Sequence, residues 1–258
     1  MKISANLSLL FGDLPLLQRI PAAAAAGFDG VEIQFPYEVP ALLLREELER
    51  CSMPLVLINL PAGDLMSGGA GLAAVPACRE LFDAALQEAL SYAAIAQPQC
   101  VNVLPGRLAE GVPKEEALRT LEANLLKTTE RFQALGIRVL CEAINPLDMP
   151  GFLINTAEQL DELLRRVDHP NCMAQLDFYH MARQGLNIAE CIVRLKSRVG
   201  HVQFADCPGR GAPGTGELAF GPLLGALEAA GYQGWLGAEY RPAGDTSASL
   251  EWLADWRR

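Results

Sequence analysis

The sequence predicts a parallel (β/α)8 barrel, and three observations indicate this fold class. Eight short apolar runs of the kind found in buried strands alternate with longer segments whose apolar residues have helical spacing. A glycine followed by an aromatic residue or isoleucine recurs at helix ends just before a strand. The length of 258 residues matches eight such repeats. A doubly wound parallel sheet is the alternative, but no G-x-G-x-x-G turn follows the first strand.

The predicted strands are separated by segments long enough to cross back over a parallel sheet. They occupy residues 3–8, 30–34, 55–60, 100–104, 138–142, 173–177, 200–205 and 235–239. Helical spacing is clear over residues 80–94 and 114–134, and residues 13–26 form the first predicted helix. Pro21 lies inside that first helix, where we expect a kink. Helix starts and ends are marked by proline and glycine respectively: Pro40, Pro76, Pro113, Gly27, Gly136 and Gly231.

Two long loops interrupt this alternation, at residues 61–75 after the third strand and residues 207–220 after the seventh. Loops of this length in a compact domain usually carry function. Because both follow strands, both belong to the carboxyl-terminal face of the barrel, where barrel enzymes place their active sites. No Gly/Ser-rich or Pro-rich linker divides the chain, so we expect one barrel domain over residues 1–258.

Composition excludes several classes of function. The 21 Lys+Arg and 31 Asp+Glu give a net charge of −10, which argues against a protein that binds nucleic-acid phosphates. No segment is apolar over the length of a membrane span, and we find no signal peptide. The seven cysteines include no C-x-x-C pair, so we expect free thiols in a cytoplasmic protein and no cysteine-bound zinc.

Oxygen-bearing side chains lie at or near the ends of the last four predicted strands. These residues are Glu142, Asp177, Gln203 and Glu239, with Asp206 just beyond the seventh strand. Strand ends of a parallel barrel meet at its mouth, so these side chains are expected to converge. Carboxylates gathered in a low-dielectric site repel one another, and a divalent cation would neutralise them. Carboxylate and amide oxygens suit Mg²⁺ or Mn²⁺; the alternative is that each acid caps a strand end or pairs with an arginine.

Three further residues are candidates for contact with a substrate. His180 follows Asp177 by three residues and is expected to donate a hydrogen bond to a substrate oxygen. Arg210, in the second long loop, has the forked guanidinium that binds a carboxylate, although it could also be an exposed loop arginine. Asp148 either accepts from a substrate hydroxyl or braces its own loop. His201 is expected to be a buried core histidine.

These residues resemble those of a known group of barrels. Three motifs carry the resemblance: Asp-x-x-His from Asp177, PGRGAPGTGE from Pro208 and GWLGAEY from Gly234. Together with Glu142 they resemble the xylose-isomerase-like TIM barrel superfamily. The closer resemblance, to the hydroxypyruvate isomerase family, runs the whole length of the chain. It includes SANLSLLF from Ser4, FPY after the second strand, NLPAGD after the third and EYRP near the end.

The resemblance implies metal ligands at Glu142, Asp177, Gln203 and Glu239, and a proton-transfer pair formed by Glu142 and Glu239. It implies an intramolecular oxidoreductase that converts a small hydroxy-keto acid to its aldehyde isomer through an enediolate, with hydroxypyruvate giving tartronate semialdehyde. The corresponding setting is carbohydrate-acid and glyoxylate metabolism. A bound Mg²⁺ or Mn²⁺ would polarise the substrate carbonyl, while His180 and Arg210 would hold substrate oxygens. Many relatives have histidine where this chain has Gln203, which leaves the metal open.

Other functions remain open at this point. Related families include 2-oxo-tetronate isomerases and ketose 3-epimerases, which act on similar compounds. The same superfamily also includes a DNA-repair endonuclease type that uses several zinc ions and many histidines, whereas this chain has three histidines and is acidic. A non-catalytic protein that binds sugar acids is a further alternative. A homo-oligomer is also possible, because the segment with Trp252 and Trp256 could either close the barrel or meet another subunit.

Overall fold

Eight parallel strands close into a barrel in the computed structural model, which describes residues 1–256. The strands follow chain order, and β8 pairs with β1. Their bounds are β1 Lys2–Asn6, β2 Gly30–Ile33, β3 Leu55–Asn59, β4 Cys100–Val103, β5 Arg138–Glu142, β6 Cys172–Asp177, β7 Val199–Phe204 and β8 Trp235–Ala238. The predicted (β/α)8 barrel is confirmed, and the doubly wound alternative is wrong because the sheet closes on itself. The predicted domain end at residue 258 lies outside the described residues.

Helices lie between successive strands on the outside of the barrel, and a last helix follows β8. They are α1 Leu16–Ala25, α2 Ala41–Arg50, α3 Arg79–Ala96, α4 Lys114–Gln133, α5 Ala157–Val167, α6 Phe178–Arg183, α7 Ile188–Leu195, α8 Phe220–Ala229 and α9 Glu251–Trp256. Short 3-10 turns lie at Leu65–Ser67, Pro76–Cys78, Lys196–Arg198 and Ser247–Ser249. The first long loop therefore contains a helical turn of its own.

Local sequence signals explain most element ends. Pro40 and Pro113 directly precede α2 and α4, and Pro76 begins the turn before α3. The first helix begins at Leu16 rather than at residue 13 because Pro15 occupies its N-cap, and α1 continues past Pro21 to Ala25. The glycines predicted at helix ends have left-handed φ angles of +93°, +70° and +78°, which glycine adopts without steric cost: Gly27, Gly136 and Gly231.

The interior of the barrel is apolar at its amino-terminal end. Val56, Leu57, Cys100 and Leu140 form a buried cluster there, against which Trp235 packs. Gly30 leaves room for the Trp235 ring, since a Cβ at Gly30 would lie 2.9 Å from two of its atoms. Polar side chains fill the barrel above this layer. The apolar floor therefore directs the polar part of the interior toward the carboxyl-terminal mouth.

The C-terminal aromatic segment packs against its own barrel. The ring of Trp252 lies 5.2 Å from Phe204 and 6.1 Å from Tyr240, and the ring of Trp256 lies 4.9 Å from Phe204. All seven cysteines lie within the described residues and carry free thiols. Among residues 1–256, none of the helices combines the length and the apolar character that a membrane crossing requires.

Candidate active site

The predicted site residues meet at the carboxyl-terminal mouth of the barrel. A cavity of about 90 Å³ is lined by Glu142, Asp148, His180, Gln203, Arg210 and Glu239. Strand register explains part of this convergence, because Asp177 pairs with Gln203 across β6 and β7, and Gln203 pairs with Gly237 across β7 and β8. Glu239 follows β8 directly and therefore lies at the mouth. The cavity is far smaller than the roughly 300–1,000 Å³ typical of drug-sized ligands.

Three buried carboxylates share this space with one arginine. Arg210 Nη2 lies 3.4 Å from Glu239 Oε1 and 3.8 Å from Asp177 Oδ2. Burial raises the pKa of Glu142 well above its usual value, and the charges of Glu239 and Asp177 raise it further. Burial also raises the pKa of Glu239 to about 7, although Arg210 opposes this shift. With all three carboxyl groups ionised, the cluster would carry more negative charge than a single guanidinium neutralises.

The two glutamates are held by amide side chains. Glu142 Oε2 accepts hydrogen bonds from Asn102 Nδ2 at 3.1 Å and Gln175 Nε2 at 2.8 Å. Glu142 Oε1 lies on the side of His180, 3.9 Å from its Nε2 atom. Glu239 Oε1 accepts a hydrogen bond from Gln34. One oxygen of Glu142 is thus fixed by the barrel interior, while the other faces the cavity.

Glu32, a buried acid that no sequence motif predicted, lies beneath Gln203. Gln203 Nε2 donates to Glu32 Oε1 at 2.7 Å, and Gln203 Oε1 accepts from Gln175 at 2.6 Å. His201, predicted to be a core histidine, is buried with its Nε2 atom 2.8 Å from Glu32 Oε2. Burial raises the pKa of Glu32, but the charge and hydrogen bonds of His201 and its other partners lower it overall. Glu32 therefore orients the Gln203 amide with its oxygen toward Gln175.

Asp177 and His180 are positioned by the start of α6. Asp177 Oδ1 accepts from the main-chain N–H of Tyr179 at 2.8 Å and so caps the helix, as aspartate often does. Its other oxygen, Oδ2, is buried without a hydrogen-bond partner and lies 3.5 Å from His180 Nε2. Burial lowers the pKa of His180 to about 4, although the charge of Asp177 opposes this shift. His180 Nδ1 is 2.7 Å from Asn145 Nδ2.

Asp148 both lines the cavity and braces its surroundings. It accepts hydrogen bonds from Tyr179 Oη at 2.7 Å and Asn145 Nδ2 at 3.2 Å, and Arg183 Nε lies 3.5 Å away. Asp148 is thus placed both to face a substrate hydroxyl and to brace its own loop, the two roles that the sequence left open. Asn145 was not predicted, because its burial and its contacts exist only in the folded loop.

Arg210 enters the site from a loop organised by Asp206. The Asp206 carboxylate accepts four main-chain N–H hydrogen bonds from this loop, donated by Cys207, Gly214, Gly216 and Leu218. The Arg210 side chain is mostly buried, and its guanidinium lies 5.0 Å from the centre of the Tyr179 ring. Burial would lower the pKa of Arg210, but Glu239 and Asp177 raise it overall. Arg210 is therefore a largely buried, charged group, and the exposed-arginine alternative is wrong.

The cluster fits a divalent metal ion. Ligand atoms of Glu142, Asp177 and His180 all lie within 4.8 Å of one another. The unpartnered Oδ2 of Asp177 and the raised pKa values of Glu142 and Glu239 both indicate that a cation would stabilise the group. Gln203 and Glu239, expected from the sequence to complete the ligand set, line the same cavity. The donors are mostly oxygen atoms, which hard cations prefer.

Comparison with known proteins decides the family. A family model described as xylose isomerase-like TIM barrel matches residues 20–256. The chain belongs to this family. Hydroxypyruvate isomerase of Escherichia coli (strain K12) is 36% identical over 257 residues, covering 100% of both chains. A 2-oxo-tetronate isomerase of Pectobacterium atrosepticum is 36% identical, covering 99% of this chain and 97% of its own. The resemblance predicted from the sequence is therefore confirmed, and the chain is an enzyme of an isomerase family.

A solved structure agrees closely in fold. The Brucella melitensis protein described as an AP endonuclease, family 2, superimposes with a TM-score of 0.95. It is 35% identical, and the match covers 100% of this chain and 99% of the other. Proteins similar to this chain are thus named both as isomerases and as an endonuclease. Deciding between these classes depends on the residues of the site.

Proposed function

We propose that this enzyme interconverts a small hydroxy-keto acid and its aldehyde isomer through an enediolate. The observation that carries the proposal is the pair of buried glutamates, Glu142 and Glu239, on one small cavity that also contains Arg210. The curated relatives of the two isomerase types support this substrate class. Hydroxypyruvate, which would give tartronate semialdehyde, is our first candidate. A 2-oxo-tetronate is the second, since a relative equally similar to this chain has that name.

The arginine favours an acid over a neutral sugar. Arg210 is largely buried, and its Nε atom has no hydrogen-bond partner. A guanidinium binds a carboxylate through two parallel hydrogen bonds, which suits a 2-oxo acid. The cavity of about 90 Å³ also favours three- or four-carbon compounds over six-carbon ketoses. A ketose 3-epimerase is therefore the weaker candidate.

The chemistry that we assign to the glutamates is proton transfer between neighbouring carbons. One glutamate removes the proton from the carbon that bears the hydroxyl, and the electron pair of that C–H bond forms the carbon–carbon double bond of the enediolate. The other returns a proton to the carbon that bore the carbonyl, and a proton moves between the two substrate oxygens. His180 donates a hydrogen bond to the oxygen on which negative charge develops. Asp148 accepts from a substrate hydroxyl.

A divalent cation completes the proposed site. We propose that Glu142, Asp177, Gln203 and Glu239 hold it, and that it is Mg²⁺ or Mn²⁺ because the donors are oxygen atoms. Such an ion polarises a carbonyl and stabilises negative charge on oxygen when it is bound. Gln203 would bind the ion through its Oε1 atom, which accepts a hydrogen bond from Gln175, because its Nε2 atom donates to Glu32.

A nuclease function fits the chain poorly despite the name of the Brucella melitensis protein. The chain has three histidines, of which His201 pairs with Glu32 and is not available to a zinc cluster. Its net charge of −10 would repel a phosphate backbone. We also propose that the chain works as one barrel domain. We propose the cytoplasm as its location, because its cysteines are free thiols.

The deciding experiment is a turnover assay on the purified protein with Mg²⁺ or Mn²⁺. Hydroxypyruvate, 2-oxo-tetronate and a set of ketoses are compared, and a neutral ketose turned over fastest would refute the acid assignment. Glu239→Gln should abolish turnover without unfolding the protein, whereas Glu217→Gln, an exposed change in the loop after β7, should not.

A second pair of variants tests the arginine. Arg210→Ala should raise KM for the acid substrate much more than for a neutral sugar, because only the acid loses an ion pair. The exposed Arg241 provides the matched control, and Arg241→Ala should change neither KM. Equal effects of Arg210→Ala on both substrates would favour an epimerase, and absence of turnover with every substrate would leave a sugar-acid binding protein.

A further inference from the structure

The amide of Asn145 has only one orientation that satisfies its surroundings. Asn145 is fully buried, and its Oδ1 atom accepts main-chain N–H hydrogen bonds from Leu147 at 3.1 Å and Asp148 at 2.9 Å. Exchanging the amide oxygen and nitrogen would direct an NH2 group at two N–H donors. The hydrogen-bond network therefore assigns Nδ2 to the other side, where it faces His180 and the Asp148 carboxylate.

This orientation determines the tautomer of His180. Asn145 Nδ2 lies 2.7 Å from His180 Nδ1, and an amide nitrogen can only donate. His180 Nδ1 must therefore present a lone pair, and the ring proton lies on Nε2. A doubly protonated ring would place N–H against N–H at this distance. Nε2 is the nitrogen that faces the site, 3.5 Å from Asp177 Oδ2 and 3.9 Å from Glu142 Oε1.

We propose that Asn145 is a positioning residue that holds His180 in the neutral Nε2–H tautomer, so that His180 is a hydrogen-bond donor to substrate and not a metal ligand. A ligating nitrogen needs a free lone pair, and Nε2 has none in this tautomer. Although His180 lies close enough to Glu142 and Asp177 to complete a metal site, its chemistry there is that of a donor. The inference rests on the proposed function for the role of His180 in substrate binding, but the tautomer itself does not.

The test replaces the donor by an acceptor of the same shape. Asn145→Asp keeps an oxygen for the two main-chain N–H groups and presents a second oxygen to His180 Nδ1. Because Asp148 Oδ2 is 3.2 Å from Asn145 Nδ2, Asp148→Asn is combined with it to keep the net charge and the hydrogen bond between the two side chains. Asn155→Asp is the matched control, since Asn155 Nδ2 donates instead to main-chain oxygens of Ile144 and Phe152.

Nitrogen NMR of the metal-free, ¹⁵N-histidine-labelled protein reads the tautomer directly, with the His180 signals assigned from His180→Gln. We expect Nε2 to carry the proton in the parent protein and in N155D, and Nδ1 to be protonated in N145D/D148N. An Nδ1–H or doubly protonated ring in the parent overturns the proposal even if every variant fails to fold. An unchanged tautomer in N145D/D148N, or a changed one in N155D, also overturns it.

Two further measurements separate this inference from the proposed function. The affinity of His180→Gln for Mn²⁺ alone should fall by no more than the roughly 10–100-fold that loss of a neighbour of a ligand costs, whereas a loss well beyond about 100-fold would make His180 a ligand and refute the inference. The kcat of N145D/D148N should fall about 100-fold below that of D148N, as removal of a donor to a developing oxyanion does. A protein that turns over none of the proposed acids contradicts the proposed function but leaves the NMR result decisive.

Discussion

Asp206 anchors the loop that carries Arg210, and its replacement should disable the site from a distance. Both carboxylate oxygens are fully used, because Oδ1 and Oδ2 each accept two main-chain N–H hydrogen bonds at distances of 2.8–3.0 Å. The Asp206 side chain is buried, whereas the loop residues that donate to it are partly exposed. A Cβ at Gly216 would lie 2.6 Å from Asp206 Oδ1, which shows how closely the loop backbone approaches the carboxylate. We expect Asp206→Asn to break this arrangement.

The free-energy cost of Asp206→Asn follows from the hydrogen bonds that an amide side chain cannot accept. Asparagine offers one acceptor oxygen, so two of the four N–H groups lose their partner and face an NH2 group instead. A fully buried, unpaired N–H costs about 1–3 kcal/mol, so about 2–6 kcal/mol is the upper range for these two part-buried groups. The loop will move to relieve part of this cost, and Arg210 moves with it. If the displaced Arg210 stabilises the transition state by about 2 kcal/mol less than in the parent protein, kcat/KM falls about 30-fold.

The assay measures kcat/KM for hydroxypyruvate together with the thermal unfolding midpoint. Asp245→Asn is the control, because it removes the same charge from an exposed aspartate whose carboxylate accepts one main-chain hydrogen bond, from Ser247. We expect D206N to lose at least tenfold in kcat/KM while D245N stays within about twofold of the parent. A D206N protein with the kinetics of the parent would show that Arg210 does not depend on this anchor.

Three other results are expected. In denaturant titrations, Gly237→Ala should destabilise the fold by about 1–3 kcal/mol, because its Cβ would lie 2.5 Å from Glu32 Oε2. The control Gly225→Ala, in α8, should stabilise the fold by about 1 kcal/mol, because its Cβ would meet no atom within 4 Å. Burial raises the pKa of Asp161, but its hydrogen bond and ion pair with Arg165 lower it overall; Asp161→Asn should therefore be less stable than the parent at pH 7, and the difference should close as the pH falls below about 4. Added Mn²⁺ should raise the unfolding midpoint more at pH 8 than at pH 5, because protons compete for the carboxylates, and an equal rise at both would argue against this site.

The positions of the strand ends explain how much of the site could be predicted from the sequence. In a parallel barrel every strand delivers its last side chains to one rim, so the residues at the ends of β5 to β8 had to meet there. Strand bounds were predicted to within two residues because buried strands are nearly continuous apolar runs. At β1 the prediction ran to residue 8, but the strand ends at Asn6, whose side chain accepts from the Ser8 N–H and turns the chain.

Partners of buried polar side chains could not be predicted in this way. Glu32 contacts His201 across 169 positions of sequence, and neither residue has a local motif that names the other. Asp206 was grouped with the acids at the strand ends, yet its oxygens are occupied by its own loop. Asn145 acts through the direction of its amide, which depends on two N–H groups that only the folded loop brings together. Which buried polar groups bond to each other depends on the folded structure, and neither composition nor periodicity contains that information.

The distribution of satisfied and unsatisfied polar atoms gives independent support for where a ligand binds. Many polar groups deep in the barrel bond to one another, as in the chain of hydrogen bonds from Glu32 through Gln203 and the Gln175 NH2 group to Glu142. Among the described residues, the buried side-chain atoms without a partner are Asn59 Oδ1, Asn102 Oδ1, Gln175 Oε1, Asp177 Oδ2 and Arg210 Nε. All five belong to residues that line the cavity or contact its lining. Buried polar groups normally find partners, so a concentration of orphaned atoms at one point marks the place where substrate and ion would supply them.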